Sequence, residues 1–167
     1  MSTLTLRRAD PKDAGLLVEM IRELAAYEKL SDEVEADEGA LASHLARDAS
    51  PRCEAVIAEG ENGEPLGFAL YYWSYSTFLT SWGIYLEDLF VREAHRGNGI
   101  GLQLLGWLAH ETVDRGGSRL TWQVLDWNAP ALGFYEKLGA QALREWQPMR
   151  LDGQALEDLA AGYSGTI

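Results

Sequence analysis

Residues 86–101 read Leu86-Glu87-Asp88-Leu89-Phe90-Val91-Arg92-Glu93-Ala94-His95-Arg96-Gly97-Asn98-Gly99-Ile100-Gly101, and the rest of the chain is organised around them. The first half has strand character: Leu86, Leu89, Phe90 and Val91 are apolar, and Glu87 and Asp88 interrupt them. The second half sets Gly97, Gly99 and Gly101 at alternate positions. It then runs into Leu102, Gln103, Leu104, Leu105 and Leu108, whose apolar members recur at helical spacing. The order is strand, glycine turn, helix.

That order has a chemical use. The first turn of a helix leaves backbone N–H groups without intrahelical partners, and the helix dipole favours negative charge there. Glycine carries no Cβ, so a ligand can approach its backbone closely. The segment therefore suits a phosphate group, with Arg96 beside it as a charge partner. A tight strand-to-helix connection that binds nothing can be written in the same letters. Two familiar cradles are excluded. A Walker loop needs Gly-Lys-Ser/Thr, whereas Leu102 follows Gly101, and the dinucleotide fingerprint spaces its glycines two then three, not two then two. What remains is Arg-x-x-Gly-x-Gly at Arg96, Gly99 and Gly101.

Length and composition bound the answer. A chain of 167 residues, 47% of them apolar, fits a single domain over 1–167 with a real core. No run of about 18 apolar residues occurs, so no membrane span or membrane partner is expected. The first ten residues lack an apolar signal core, and the single cysteine, Cys53, cannot form an internal disulfide. Both point to a cytoplasmic protein. A formal net charge of −12 disfavours nucleic acid as a partner; it suits a small cationic molecule, besides keeping the chain soluble. His44, His95 and His110 have no metal-type spacing, and no metal is expected. No Gly-x-Ser-x-Gly elbow is present.

Taken in order, Thr3 to Arg8 reads as a first strand. Asp10-Pro11 marks a helix start, with Leu17, Val18, Ile21, Leu24 and Ala25 on one face and an end near Leu30. Ser31 to Glu38 is acidic and loop-like, and a shorter helix carries Leu41, His44 and Leu45 up to a connection closed by Pro51. Cys53 to Glu59 is a strand, Glu61 to Glu64 a hairpin turn around Asn-Gly, and Leu66 to Tyr75 the returning strand. Ser76 to Trp82 reads as a loop exposing Phe78, Leu79 and Trp82, and Ile84 to Val91 is the central strand. After the 100–115 helix, Gly116-Gly117 is the stop. Leu120 to Leu125 is a strand, Asn128 an N-cap with Pro130 in the first turn, and Gly139 a helix end. Ala142 to Leu151 reads as a last strand, Gln154 to Ala160 as a short helix and Gly162 to Ile167 as a frayed tail.

Five stretches together resemble one family: Leu24-Ala25-Ala26-Tyr27-Glu28, residues 67–72, residues 85–91, Arg96 to Gly101, and Trp127-Asn128-Ala129-Pro130 with Phe134-Tyr135. The chain resembles the GCN5-related N-acetyltransferases, the GNAT family, over roughly Thr3 to Leu159, and within it the diamine (spermidine/spermine) acetyltransferase branch. The resemblance implies a mixed α/β (α+β) fold, with a mostly antiparallel central sheet flanked by helices, and acetyl-CoA as co-substrate. It further implies that Leu89, Phe90 and Val91 run beside the pantetheine arm, where a neighbouring strand diverges. Arg96, Gly97, Asn98, Gly99, Ile100, Gly101 and Leu102 would hold the pyrophosphate. Asn128 and its helix near Ala131 would bound the coenzyme on the other side. The branch also commonly forms homodimers, which the exposed aromatic loop suits.

The chemistry assigned by resemblance is specific. Acetyl transfer from a thioester to an amine develops charge on the carbonyl oxygen, which the Leu89 N–H would meet, and then on the leaving sulfur. Tyr135 stands where the family places a phenol able to protonate that sulfur as general acid. The attacking amine must be neutral, although alkyl ammonium groups titrate near pKa ~10. Glu87 is placed to take that proton. Regular strand pairing would send Asp88 to the opposite face, which makes it structural. Tyr27 and Glu28 match the branch's amine-binding positions, and Glu145 with Trp146 adds a further carboxylate and ring.

The chain also departs from the branch pattern. The loop from Ser76 to Gly83 is slightly longer, with Phe78 in place of a tryptophan, and the region around Glu145 is shorter and differently charged. The resemblance implies a primary amine of a small polyamine or diamine-like substrate as acceptor, with an aminoalkyl amino acid such as thialysine or ornithine as an alternative that these departures leave open. A protein amine as acceptor, or a non-catalytic acetyl-CoA-binding domain, are the further alternatives.

Overall fold

Strand β1 (Thr5–Arg8) opens the chain, and its end is set by local polar chemistry. Asp10 caps a 3-10 turn at Pro11–Asp13: its carboxylate accepts from the Lys12 N–H, while Asp13 reaches back to the Asp10 N–H at 2.8 Å. Proline at the first position, missing a donor that would be unpaired anyway, suits this start. Helix α1 (Ala14–Glu28) follows and stops where Lys29 turns left-handed, two residues short of the expected end. Helix α2 (Glu38–Leu45) is capped by Asp37, whose side chain accepts from the Ala40 N–H at 2.7 Å. The computed structural model describes residues 4–46 and 52–163, so Thr3, Pro51 and the tail beyond Tyr163 lie outside the described residues.

Strands β2 (Glu54–Glu59), β3 (Pro65–Ser76) and β4 (Ser81–Val91) form an antiparallel meander with β1, and β5 (Leu120–Thr121) joins the far edge in parallel. The five-stranded order is β1-β2-β3-β4-β5. Helix α3 (Ile100–Asp114) connects β4 to β5. Asn62 and Gly63, both at positive φ, make the Asn-Gly turn a short 3-10 segment between β2 and β3. The β3–β4 hairpin is longer than its sequence suggests. Ser76 pairs with Ser81 and Tyr75 with Trp82, which leaves only residues 77–80 as a loop.

Alternation along the strands builds two apolar layers. Ile57, Phe68 and Phe90 share a face with Ala55 and Leu70, and pack with Leu17, Met20 and Leu24 of α1 and Leu45 of α2. The opposite face carries Val56, Ala69, Tyr71 and Leu86, all fully or almost fully buried, and α3 lies on that side with Tyr71 edge-on to Trp107. There Arg8 pairs with Glu54 at 2.9 Å and also with Glu111 of α3. Arg115 meets Glu111 at 3.1 Å, and the Trp73 indole donates to Glu54 at 2.9 Å. Every buried charge in this group is paired, so the cluster fastens α3 to the sheet without an orphaned ion.

The chain divides into two compact units, the first ending at Gln123 and the second beginning at Val124. The second holds helix α4 (Ala129–Lys137) and helix α5 (Gly153–Ala161). Two expected strands are not realised. Only Leu120 and Thr121 of the 120–125 stretch pair with the sheet, and residues 142–151 form no strand. In the latter, Arg144, Glu145 and Gln147 break up the apolar residues, and Pro148 lacks a donor. Every position from Gln141 to Leu151 is exposed, and an unpaired strand has nothing to hold it.

Candidate active site

Strand β4 carries a defect in its pairing with β3. Leu70 pairs with Asp88 and Tyr71 with Leu86, so Glu87 is the extra residue of a β-bulge. Asp88 thereby faces the α1 side with Leu70 and Phe90, and Tyr85, paired with Tyr72, faces it as well. Regular alternation would have sent Asp88 and Glu87 to opposite faces. The bulge instead leaves Glu87 close enough to act electrostatically on Asp88, Tyr72 and Tyr85.

Asp88 is the most perturbed acid of this group. Burial pushes its pKa up to about 6, and the nearby charges of Glu87 and Glu28 push in the same direction. Glu28, in the last turn of α1, is itself raised by burial. Three carboxylates from two elements thus bear on one place. The Tyr72 and Tyr85 rings stack beside them, centroids 5.0 Å apart and planes 22° apart. Burial and the Glu87 charge raise both phenols. Such a constellation favours positive charge and can hold a proton or an ammonium. Regular pairing assigns Asp88 to the opposite face, so its place here is a correction, and the sequence gives Tyr72 and Tyr85 no site role. Only the Glu-Asp interruption of an apolar strand hinted at a bulge.

The glycine turn sits at the end of the same strand. After Val91 a 3-10 turn at Glu93–His95 leads to Gly97 (φ +79°) and Gly99 (φ +78°), and Gly99 is the N-cap of α3. Its position offers no side-chain cap to the first-turn N–H groups of Ile100, Gly101 and Leu102. A Cβ built at Gly97 or Gly99 meets nothing within 4 Å, so the approach to the backbone is open. The exposed Asn98 braces the turn, its amide donating to the His95 carbonyl at 3.1 Å. Open left-handed backbone before an uncapped helix fits the diphosphate of a coenzyme. The Arg96 side chain leans the other way, with Nε on the Val91 carbonyl at 2.9 Å and the guanidinium 4.3 Å from the Tyr27 ring centroid.

The edge of β4 completes the first unit's contribution. Strand β5 pairs only with Ile84 and Tyr85, so Leu86 to Val91, including Leu89, Phe90 and Val91, have no strand partner on that side among the described residues. An edge of this kind can pair with the amides of an extended ligand.

In the second unit, the Asn128 side chain accepts from the Ala131 N–H at 3.3 Å and starts α4, with Pro130 in the first turn. Tyr135 lies on this helix, partly buried and tilted against Phe134 at 5.3 Å. Glu145 and Trp146 lie beyond it in the exposed 141–151 stretch, Trp146 being 69% exposed. The predicted site residues therefore divide. Tyr27, Glu28, Glu87, Leu89–Val91 and 96–102 belong to the first unit, and Asn128, Ala131, Tyr135 and Glu145 to the second. Among the described residues no group of His, Cys, Asp and Glu is arranged to hold a metal ion.

A meander of four antiparallel strands, a bulged central strand, an open edge beside it and a glycine turn into a helix together define an acetyltransferase of the GNAT class. The description "Acetyltransferase (GNAT) family" matches residues 18–140, and the chain belongs to that family. It is an acetyl-CoA-dependent N-acetyltransferase. Among particular proteins, it is 41% identical to the thialysine N-epsilon-acetyltransferase of Bos taurus, over 96% of this chain and 99% of that protein. It is 30% identical to the spermidine/spermine N(1)-acetyltransferase-like protein 1 of Homo sapiens, over 96% of this chain but 24% of the relative. A solved integron cassette protein from the mobile metagenome of V. cholerae superposes with a TM-score of 0.77 at 32% identity, covering 94% of this chain and 97% of that one.

Proposed function

We propose that this enzyme acetylates the side-chain amine of a small aminoalkyl amino acid of the thialysine or ornithine type, by direct attack of the amine on acetyl-CoA. The observation that supports the acceptor class is the cluster of Glu28, Glu87 and Asp88 beside the stacked Tyr72–Tyr85 pair, which suits an ammonium group. The near full-length likeness to a thialysine N-epsilon-acetyltransferase favours an amino acid over a polyamine. The polyamine is the second reading, favoured by the number of carboxylates, which a substrate with several ammonium groups could use.

Acetyl-CoA supplies the acetyl group already activated as a thioester. The chain's own residues do the rest. Glu28 and Tyr27 bind the ammonium form, and Glu87 with Asp88 accepts its proton, directly or through a water, to leave a neutral amine. Main-chain N–H groups at 97–102 seat the diphosphate, with the open edge at 89–91 for the pantetheine amides. Asn128 and the α4 start near Ala131 flank the coenzyme, Tyr135 gives a proton to the leaving sulfur, and Glu145 lines the outer amine site. This reading takes the two units as one acetyltransferase domain, supported by a family match that runs across their boundary. It also takes the enzyme as a cytoplasmic homodimer, supported by the apolar hairpin tip where Phe78 is 94% exposed.

A panel of thialysine, ornithine, putrescine and spermidine, assayed for thiol release, tests the acceptor. Thialysine or ornithine should give the highest kcat/KM; a clear preference for spermidine would install the polyamine reading. In the same assay Tyr135→Phe should lower kcat by about ten- to a thousandfold with coenzyme binding retained. Unchanged turnover would remove Tyr135 from the chemistry.

A further inference from the structure

Arg96 opens the glycine motif, and its sequence position suggests a charge partner for phosphate. Its side chain is engaged elsewhere. Nε donates to the Val91 carbonyl at 2.9 Å, which fixes the guanidinium at the end of β4. From that anchor the guanidinium lies 4.3 Å from the centroid of Tyr27, in the last turn of α1, and 5.8 Å from that of Phe90. Tyr27 is 37% exposed, whereas Phe90 belongs to the core. One cation therefore bridges a fixed ring and a surface ring, and stacking on a planar guanidinium restricts the surface ring to one orientation. Tyr27 directly precedes Glu28, one of the three carboxylates at the bulge.

We propose that Arg96 is a positioning residue for the amine acceptor: its Val91-anchored guanidinium holds the Tyr27 ring, and with it the Glu28 end of α1, in the arrangement that receives the ammonium group. The diphosphate is left to the main-chain amides of residues 97–102. This rests on the amine site described above, and it adds a dependence of amine affinity on a residue of the coenzyme motif. Lysine cannot replace it fully, because a point charge lacks both the Nε anchor and the flat stacking face.

The test measures amine affinity in the absence of coenzyme, by titration calorimetry of thialysine into the free protein. Arg96→Gln should weaken amine binding by about three- to tenfold, the scale of an exposed to partly desolvated cation–ring contact. Arg96→Lys should fall between it and wild type. Tyr27→Leu should lose at least as much as Arg96→Gln, and the double variant Arg96→Gln/Tyr27→Leu should lose no more than Tyr27→Leu alone. Unchanged coenzyme-free amine affinity in Arg96→Gln, with acetyl-CoA affinity reduced instead, would overturn the proposal and return the guanidinium to the phosphate. Additive losses in the double variant would overturn it as well. Failure of wild type to bind any amine of the panel would count against the acceptor site itself, a separate result. Thermal melts of each variant separate these outcomes from unfolding.

Discussion

Asp88 concentrates the residue-scale chemistry, since its carboxyl is held near pKa 6 by burial and by two like charges. A raised carboxyl binds its proton more tightly in the folded state than in the unfolded chain, where aspartate titrates near ~3.9. Stability attributable to Asp88 is therefore greatest below about pH 4, falls as pH rises through about 4 to 6, and is fully lost above that window. Asp88→Asn should accordingly raise stability at pH 7.5 by about 1–2 kcal/mol, with the gain vanishing toward pH 4. Urea unfolding at the two pH values checks it, and equal effects at both would show the carboxyl to be unstrained. The same group should give kcat/KM an acid limb with an apparent pKa near ~6, owned by the cluster and not by one residue. At this scale Glu87 was legible as an acid in an apolar strand. The side chosen by Asp88 was not, because one inserted residue reverses a face and leaves no mark in the hydrophobic pattern. The direction of Arg96 was hidden too: the Val91 carbonyl that anchors it and the Tyr27 ring it meets lie outside the glycine motif.

Among the elements, the glycine turn into α3 is where sequence and structure agree most closely, because left-handed backbone before a helix leaves few residue choices. Gly99 sits at φ +78° with open space where a Cβ would go, so alanine there is strained by the backbone and not by a neighbour. Gly99→Ala should cost about 1–2 kcal/mol of stability. It should raise the KM for acetyl-CoA severalfold, yet leave coenzyme-free amine affinity at the wild-type value. A loss of amine affinity of the same size would mean that the turn supports the whole site. Helices α1 and α3 were readable from caps and apolar spacing, as were β2 to β4. The hairpin was read too short because Tyr75 and Trp82, paired across it, carry aromatic faces that serve a strand or an exposed loop equally well. The 142–151 strand was read from its apolar letters alone. A strand exists only if a neighbour accepts its hydrogen bonds, and no sequence window records that neighbour.

At the scale of the whole molecule, the net charge of −12 acts on two substrates of opposite sign. A small ammonium acceptor is drawn toward the protein by the long-range field, while the polyanionic coenzyme approaches against it, and in the proposed reading the amides at residues 97–102 hold it locally. Added salt shortens the Debye length from about 30 Å at 0.01 M to about 6 Å at 0.3 M, and so weakens the long-range part while sparing contacts within the site. Raising ionic strength across that range should therefore lower kcat/KM for the amine by about three- to tenfold. It should leave kcat/KM for acetyl-CoA level or raise it. Thialysine separates the field from the local site, since its α-carboxylate cancels one of its charges: its salt dependence should be shallower than that of putrescine, which carries two uncancelled ammonium groups. Parallel slopes for the two amines would place the electrostatics in the immediate contact with Glu28, Glu87 and Asp88. Falling kcat/KM for acetyl-CoA would show instead that the coenzyme, like the amine, is drawn in by charge, and would require a cationic group at the cradle beyond the backbone N–H groups.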